Sequence, residues 1–242
     1  MKKTFLLLVV IVTLCLTEAE AYMEEYPPFP FKSKKLPPHL ETKGLIEFKG
    51  ETTTRVEDLQ VELSTIDVYD KLRIKDGKEI IFETEEGVTP FVFAVYYADL
   101  DNNKLKDIVI FSDYRSCGLG YKHRVDILFQ VRRHTFSHIH YDTMCAGLED
   151  FVDMDRDGVY EVIYADFYGV GGHHYFVYNI YEIKEAGLHN ANKKYAPAFP
   201  KFIWFTYKPN DKQSTRITRE EKEEYLKIRL PEVIRDDRDT RR

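Results

Sequence analysis

An antiparallel all-β fold is what the sequence predicts, and three observations lead to it. Tyr and Phe are abundant, with 17 and 16 copies in 242 residues, and aromatic side chains favour half-buried strands. Short apolar runs of strand length recur between residues 43 and 208, and no long helical period interrupts them. An acidic segment that begins at Asp99 recurs at Asp153. We therefore expect antiparallel strand-loop-strand repeats.

The charge balance argues against a nucleic-acid partner. The chain has 35 Lys and Arg residues against 41 Asp and Glu residues, which gives a formal net charge of −6. Binding to a phosphate backbone needs an excess of basic side chains, which this chain lacks. With 43% hydrophobic and 31% charged residues, the composition is that of a globular protein.

Residues 1–21 have the pattern of a secretory signal peptide. A short basic start precedes an apolar run over residues 5–16, and residues 19–21 are Ala-Glu-Ala, a small-x-small cleavage pattern. The apolar run is shorter than the ~20 residues that a helix needs to cross a bilayer, so a transmembrane anchor is disfavoured. We expect cleavage before Tyr22 and export to the periplasm or the extracellular space.

The cysteines fit an exported protein. Cys15 leaves with the signal peptide, and the mature chain keeps Cys117 and Cys145. In an oxidising compartment such a pair persists as a disulfide, which the even number supports. Two free buried thiols are the alternative.

Three further segments follow the signal peptide. Residues 22–42 form a Pro-rich linker without strand or helix periodicity. Residues 43–208 form the all-β repeat domain. Its clearest strand segments are Val92 to Tyr97, Ile108 to Phe111, Val125 to Val131, Val162 to Tyr164, Tyr175 to Ile183 and Phe202 to Tyr207.

Residues 209–242 form a charged C-terminal segment. Thr218 and Glu221 have the spacing of a capping box, and residues 220–230 are expected to form a short charged helix. The tail from Arg235 onward alternates in charge and is expected to fray.

The acidic repeat predicts two metal sites. The segments 99–107 and 153–161, here called the first loop and the second loop, place acidic or amide oxygens at positions 1, 3, 5 and 9. Calcium takes six to eight oxygen ligands, and alternate side chains of a tight loop converge on one point, whereas Mg²⁺ prefers to keep its waters. Backbone carbonyls at position 7 complete each expected Ca²⁺ shell. The expected ligands are Asp99, Asp101, Asn103, Leu105 and Asp107 in the first loop, and Asp153, Asp155, Asp157, Val159 and Glu161 in the second.

The second loop matches a calcium pattern more closely than the first. Gly158 at position 6 permits a sharp turn, whereas Lys104 occupies that position in the first loop. An EF-hand is excluded, because position 12 holds Ile110 and Tyr164 instead of a bidentate Glu and because the flanking segments are strand-like.

Both segments resemble the calcium loops of FG-GAP and VCBS-type repeats, which build many secreted β-propellers. The pattern is Asp-x-Asp/Asn-x-Asp-Gly-x-x-Asp/Glu before an apolar strand; the first loop departs from it at Lys104 and Asn103. The resemblance implies a calcium-stabilised β scaffold for adhesion or ligand presentation, and it implies no catalytic residues. Residues 43–208 hold about three such units, whereas propellers usually close with four or more blades. An incomplete array of blades, a pair of twisted sheets and a ring all remain open.

Strand parity adds a geometric expectation. If successive strands run antiparallel, both loops lie at one end of the sheets, and Cys117 and Cys145 lie at the other.

Histidines support a rival, catalytic interpretation. His134, His138 and His140 fall on one face of a strand with Asp142, and the pair at 138 and 140 could chelate Zn²⁺. His173 and His174 are expected near the same end of the sheets as His138 and His140. The alternative is that these residues line the exposed face of an antiparallel strand.

Two functions therefore stand side by side. One is a secreted or periplasmic, non-catalytic calcium-binding scaffold that presents a β surface to a protein or glycan ligand. The other is a metal-dependent hydrolase at His138 and His140. No nucleophile elbow, phosphate loop or zinc-protease motif occurs in the sequence.

Overall fold

The computed structural model describes residues 40, 44–48, 50–56, 58–66, 69–84, 91–114, 122–144, 146–170, 173–205, 217–228 and 234–235. The expected signal peptide, the linker apart from Leu40, and the cysteine pair Cys117 and Cys145 lie outside these residues. The cleavage site and the disulfide therefore stay predictions.

The described residues form short strands joined mostly by tight turns. The strands are β1 (Leu45–Glu47), β2 (Thr52–Val56), β3 (Leu59–Ile66), β4 (Tyr69–Asp76), β5 (Glu79–Glu83), β6 (Phe91–Ala98), β7 (Asp107–Asp113), β8 (His123–Arg132), β9 (Thr135–Thr143), β10 (Phe151–Val152), β11 (Glu161–Val170), β12 (His173–Lys184), β13 (Gly187–Asn190), β14 (Lys201–Phe205) and β15 (Ile234–Arg235). A 3-10 turn spans Leu148–Asp150, and helix α1 spans Arg219–Lys227.

The strands form three antiparallel sheets, which confirms the all-β fold. The N-terminal sheet has the order β2-β3-β4-β5, and the central sheet has the order β1-β6-β7-β8-β9-β15. The C-terminal sheet has the order β10-β11-β12-β13, with β14 also paired to β12. None of these sheets closes into a barrel.

The three sheets stack in chain order, with the central sheet buried on both faces. One face packs against the N-terminal sheet through side chains such as Val61 and Ile110, and the other packs against the C-terminal sheet through side chains such as Phe111 and Phe151. Double burial explains why Ile108 to Phe111 of β7 form a continuous apolar run, since neither face of this strand meets water. Leu40, near the end of the expected linker, is buried between the central sheet and the C-terminal sheet.

Each sheet corresponds to about one repeat unit. In the N-terminal sheet, the turn between β4 and β5 places Gly77 at φ 57°. In the C-terminal sheet, Val170 at the end of β11 pairs with His173 at the start of β12. The acidic loops belong to the central sheet and the C-terminal sheet.

Helix α1 packs against the C-terminal sheet through Tyr225, which contacts Tyr175 and Val177 of β12. These side chains share the face of β12 that meets the central sheet, where Tyr181 lies. The Thr218 hydroxyl oxygen accepts a hydrogen bond from the backbone N–H of Glu221, and the Glu221 carboxylate accepts one from the backbone N–H of Thr218, as the capping box predicts. Tyr225 is buried against β12 and exchanges hydrogen bonds with Asn179. The helix ends at Lys227 and not at residue 230. Arg235, the first residue of the tail that is expected to fray, belongs to β15, which pairs with β9 at the edge of the central sheet.

Among the described residues, no helix is both long enough and apolar enough to span a membrane.

Candidate metal centres

The two acidic loops occupy equivalent places in their sheets. The first loop joins β6 to β7, and the second joins β10 to β11. In each, the residue at position 9 begins the following strand and pairs with the residue just before position 1: Asp107 with Ala98, and Glu161 with Val152. Both are therefore strand-loop-strand units, as the sequence predicts.

The loops also share an unusual backbone. Position 4 has a positive φ in both, 60° at Asn102 and 64° at Arg156. Position 6 has a positive φ of 71° at Lys104 and 89° at Gly158. Left-handed backbone favours glycine, yet Lys104 makes the same turn. Lys104 therefore does not prevent the turn, and a closer match of the second loop to a calcium site stays a prediction.

Hydrogen bonds within the loops match position by position. The backbone N–H at position 2 donates to the carboxylate at position 9, the N–H at position 6 donates to Oδ2 at position 1, and the N–H at position 7 donates to Oδ1 at position 5. The bonds are Leu100 to Asp107 and Met154 to Glu161, both 2.8 Å; Lys104 to Asp99, 3.0 Å, and Gly158 to Asp153, 3.1 Å; Leu105 to Asn103, 2.7 Å, and Val159 to Asp157, 2.8 Å.

Three carboxylates converge in each loop, those at positions 1, 3 and 9. One oxygen from each lies within 4.8 Å of the others, in the sets Asp99, Asp101, Asp107 and Asp153, Asp155, Glu161. Asp157 at position 5 is outside its set, because its Oδ1 accepts the turn-closing bond from Val159. Asn103 does the same for Leu105, so a role for position 5 and for the carbonyls of Leu105 and Val159 stays a prediction.

Burial leaves one oxygen in each loop unsatisfied. Oδ1 of Asp99 and Oδ1 of Asp153 are inaccessible to solvent and have no hydrogen-bond partner among the described residues. Asp153 is 7% exposed, and the position 9 residues Asp107 and Glu161 are 0% and 3% exposed. A buried carboxylate oxygen without a donor is costly, and a cation placed there would remove that cost.

The pKa shifts show how the first loop responds to this burial. Burial raises the pKa of Asp107 to about 7, against the hydrogen bonds from Leu100 and Gln130 and with help from neighbouring Asp101 and Asp99. Burial and the charge of Asp99 also raise the pKa of Asp101. The carboxylates of the first loop therefore lie close together without an ion-pair partner among the described residues.

The second loop has a cation of its own. Nζ of Lys194 lies 2.8 Å from Oδ2 of Asp155 and 3.9 Å from Oε1 of Glu161, and it also pairs with Glu182. The hydroxyl of Tyr195 donates to Glu161 and, at 3.3 Å, to Asp155. The hydrogen bond from Lys194 lowers the pKa of Asp155, whereas burial raises that of Glu161.

Sequence reasoning missed these neighbours for a physical reason. Lys194 and Tyr195 follow β13 and reach the second loop only because the C-terminal sheet folds them over it. At the first loop the corresponding neighbour is Gln130, whose backbone N–H donates to Asp107 at 2.8 Å and whose carbonyl accepts from Asn103 at 3.0 Å. In the described part of the chain, no Lys or Arg forms an ion pair with the first loop's carboxylates.

The two loops touch each other. Nδ2 of Asn102 donates to the carbonyl of Asp157 at 3.2 Å, and the backbone N–H of Tyr160 donates to the carbonyl of Leu100 at 2.8 Å. The expectation from strand parity that both loops lie at one end of the sheets is therefore confirmed.

The histidines are arranged differently from the expectation. His138 is 5% exposed, packs edge-on against Phe82 of the N-terminal sheet and pairs with Asp126 at 2.8 Å. This face of β9 is therefore covered, and the exposed-face interpretation is wrong for His138. Arg124 also binds both oxygens of Asp126, so a cation already neutralises this carboxylate.

Of the other histidines considered for a metal site, His140 lies beside His138, whereas His134 and His174 contact other elements. His140 follows on the same face, with its ring centroid 5.9 Å from that of His138. His134 lies in the turn between β8 and β9 at φ 60° and pairs with Asp76. His174 stacks on Phe167 of the adjacent strand. Asp126, His138 and His140 each place one possible ligand atom within 4.8 Å of the other two. The hydrolase interpretation stays a prediction.

Comparison with known proteins adds no relative: no family model, no curated protein and no solved structure matches this chain. The resemblance to FG-GAP and VCBS-type repeats therefore stays a prediction that depends on the loops alone.

Proposed function

We propose that this protein is an exported, non-catalytic calcium-binding β scaffold whose two acidic loops each hold one Ca²⁺. The observation that carries the proposal is the repeated unsatisfied oxygen, Oδ1 of Asp99 and of Asp153, beside two further carboxylates in each loop. Two loops far apart in sequence share the same backbone conformation and the same buried carboxylate oxygen without a hydrogen-bond partner. A common cation accounts for this better than two unrelated acidic turns do.

The donor set favours calcium among the common cations. Each cluster offers carboxylate oxygens and no nitrogen or sulfur, which suits a hard cation. Zn²⁺ prefers histidine and cysteine ligands, and Mg²⁺ keeps several waters and demands octahedral geometry. Asp99, Asp101 and Asp107 would hold the first ion, and Asp153, Asp155 and Glu161 the second.

An apolar groove supports the ligand-presenting part of the proposal. It encloses about 620 Å³ beside β1 and β6, with Phe48, Phe93 and Phe111 among its lining residues and Glu47 and Glu149 at its charged positions. Aromatic side chains next to a few polar groups are typical of sites that bind proteins or glycans. The ligand is of one of these two classes.

Thermal melts of metal-stripped protein test the proposal. Because calcium binds only the folded loops, millimolar calcium should raise the melting temperature, and the same concentration of magnesium should raise it less. An unchanged melting temperature in calcium would contradict the proposal. Zinc analysis of the purified protein tests the hydrolase alternative, since the scaffold should hold none.

A further inference from the structure

Lys194 is held over the second loop by three carboxylates. Asp155 and Glu161 belong to the loop, and Glu182, on β12, does not. Burial alone would lower the pKa of Lys194, but hydrogen bonds to Asp155 and Glu182 outweigh it and raise the pKa, so the side chain stays charged. The ammonium group of Lys194, in a side chain that is 43% exposed, thus lies against two of the three carboxylates expected to bind calcium.

An ordered turn presents this lysine. The backbone N–H of Tyr195 donates to the carbonyl of Ala191 at 3.2 Å, and the N–H of Ala198 donates to the carbonyl of Tyr195 at 2.9 Å. Asn192 anchors the turn to β12 through a bond from the N–H of Ile180 at 3.0 Å. The ammonium also lies 4.9 Å from the centre of the Tyr195 ring. Lys194 is therefore placed by the fold.

We propose that Lys194 is a tethered cation that competes with calcium for the second loop, so that the first loop fills at lower calcium. This inference rests on the proposed function. Calcium needs six to eight oxygens, and Lys194 and Tyr195 engage oxygens of Asp155 and Glu161. Ion binding at the second loop therefore requires the ammonium to withdraw. The unsatisfied Oδ1 of Asp153, in a side chain that is 7% exposed, shows that the lysine does not satisfy the whole cluster.

Glu182 makes this exchange possible. Because it pairs with Lys194 but lies outside the expected ligand set, the lysine keeps one partner when it leaves Asp155. The first loop has no equivalent competitor in the part of the chain that the structure describes. The two sites therefore respond to different calcium concentrations although their backbones match.

Calcium titration calorimetry on single-loop variants tests the proposal. In Asp101→Ala, which leaves the second loop intact, adding Lys194→Met should raise the calcium affinity roughly tenfold, equivalent to removing about 1.4 kcal/mol of competition. Lys193→Met is the matched control, because it removes the same charge from an exposed neighbour. Its effect on affinity should be less than twofold.

The outcomes separate the two proposals. If Lys194→Met leaves the second-loop affinity unchanged or weakens it, the competition is refuted and the calcium scaffold stands. If the second loop never binds calcium while the first loop does, the competition is refuted and the proposed function is wrong for the second loop. If Asp155→Ala, which keeps the first loop, and every other variant bind no calcium, both proposals fail. In Asp155→Ala, Lys194→Met should leave the first-loop affinity unchanged, and a similar tenfold rise there would contradict a local mechanism.

Discussion

The first and second loops have nearly the same backbone but neutralise their charge differently. Both place positive φ angles at positions 4 and 6 and repeat the same three hydrogen bonds. The first leaves Asp107 buried with a pKa of about 7, whereas the second has Lys194 paired with Asp155. The local sequence pattern thus determines where the ligand oxygens lie. Residues from distant parts of the chain determine whether a charged side chain pairs with them.

The largest effect should come from Asp107, which is completely buried at the start of β7. In excess calcium, Asp107→Ala should lower the free energy of unfolding by about 4 kcal/mol. It removes a ligand, and it leaves the N–H groups of Leu100 and Gln130 without their acceptor. Urea unfolding measures this loss. Asp107→Asn keeps one acceptor oxygen and should lose less; equal losses would show that the amides do not depend on this side chain.

Calcium itself should produce the next largest effect. At a hundredfold excess over Kd, one filled site contributes about 2.7 kcal/mol to the free energy of unfolding. At calcium concentrations that fill only the tighter site, Asp101→Ala should lose most of the melting-temperature shift and Asp155→Ala little of it. The opposite order, measured by calorimetric melts across a calcium series, would show that the second loop fills first.

Asp150 lies outside both loops, and its effect on the pH dependence of stability serves as a reference for stability measurements on the loops. Burial raises the pKa of Asp150 to about 8, so the folded protein keeps a proton that the unfolded chain releases above its ordinary pKa of 3.8. That contribution to stability is complete below pH 3.8 and is lost as the pH rises towards 8. In chelator, Asp150→Asn should therefore be more stable than the parent by about 2 kcal/mol at pH 8.5 and equal at low pH.

Asn at position 150 retains an oxygen for the bond from the N–H of Gly147, so the variant tests charge and not the turn. Unfolding curves that differ by a constant amount at every pH would count against a raised pKa of Asp150.

The smallest effects come from position 6. Gly158→Ala should cost about 1–2 kcal/mol, because φ is 89° and the new Cβ would lie 2.8 Å from Nδ2 of Asn102. Lys104→Gly should change stability by less than about 1 kcal/mol, since relief of the left-handed backbone offsets the added freedom of the unfolded chain. Denaturant unfolding compares them; a larger loss in Lys104→Gly would mean that the Lys104 side chain supports the first loop.

The sequence predicted what depends on local pattern. Apolar runs located strands β6, β7, β8, β11, β12 and β14, and the capping box at Thr218 located α1. The spacing of the carboxylates identified both loops, and strand parity brought them together. These features follow from backbone geometry over a few residues, which composition and spacing report directly.

What the sequence did not predict depends on contacts between distant segments. Lys194 meets the second loop through the pairing of β12 with β13, and His138 is covered because the N-terminal sheet packs on the central one. Lys104 departs from the sequence pattern at position 6 yet adopts a left-handed backbone, because glycine is only the easiest residue at such a position. No local pattern around these residues records the partner that decides their role.

Counting bound calcium tests the central claim most directly. Equilibrium dialysis of metal-stripped protein should give two calcium ions per chain, one in each of Asp101→Ala and Asp155→Ala, and none in the double variant. Dialysis against the same concentration of magnesium serves as the control. If the parent binds no calcium, or if the double variant binds as much as the parent, the two loops are acidic turns and the account is wrong.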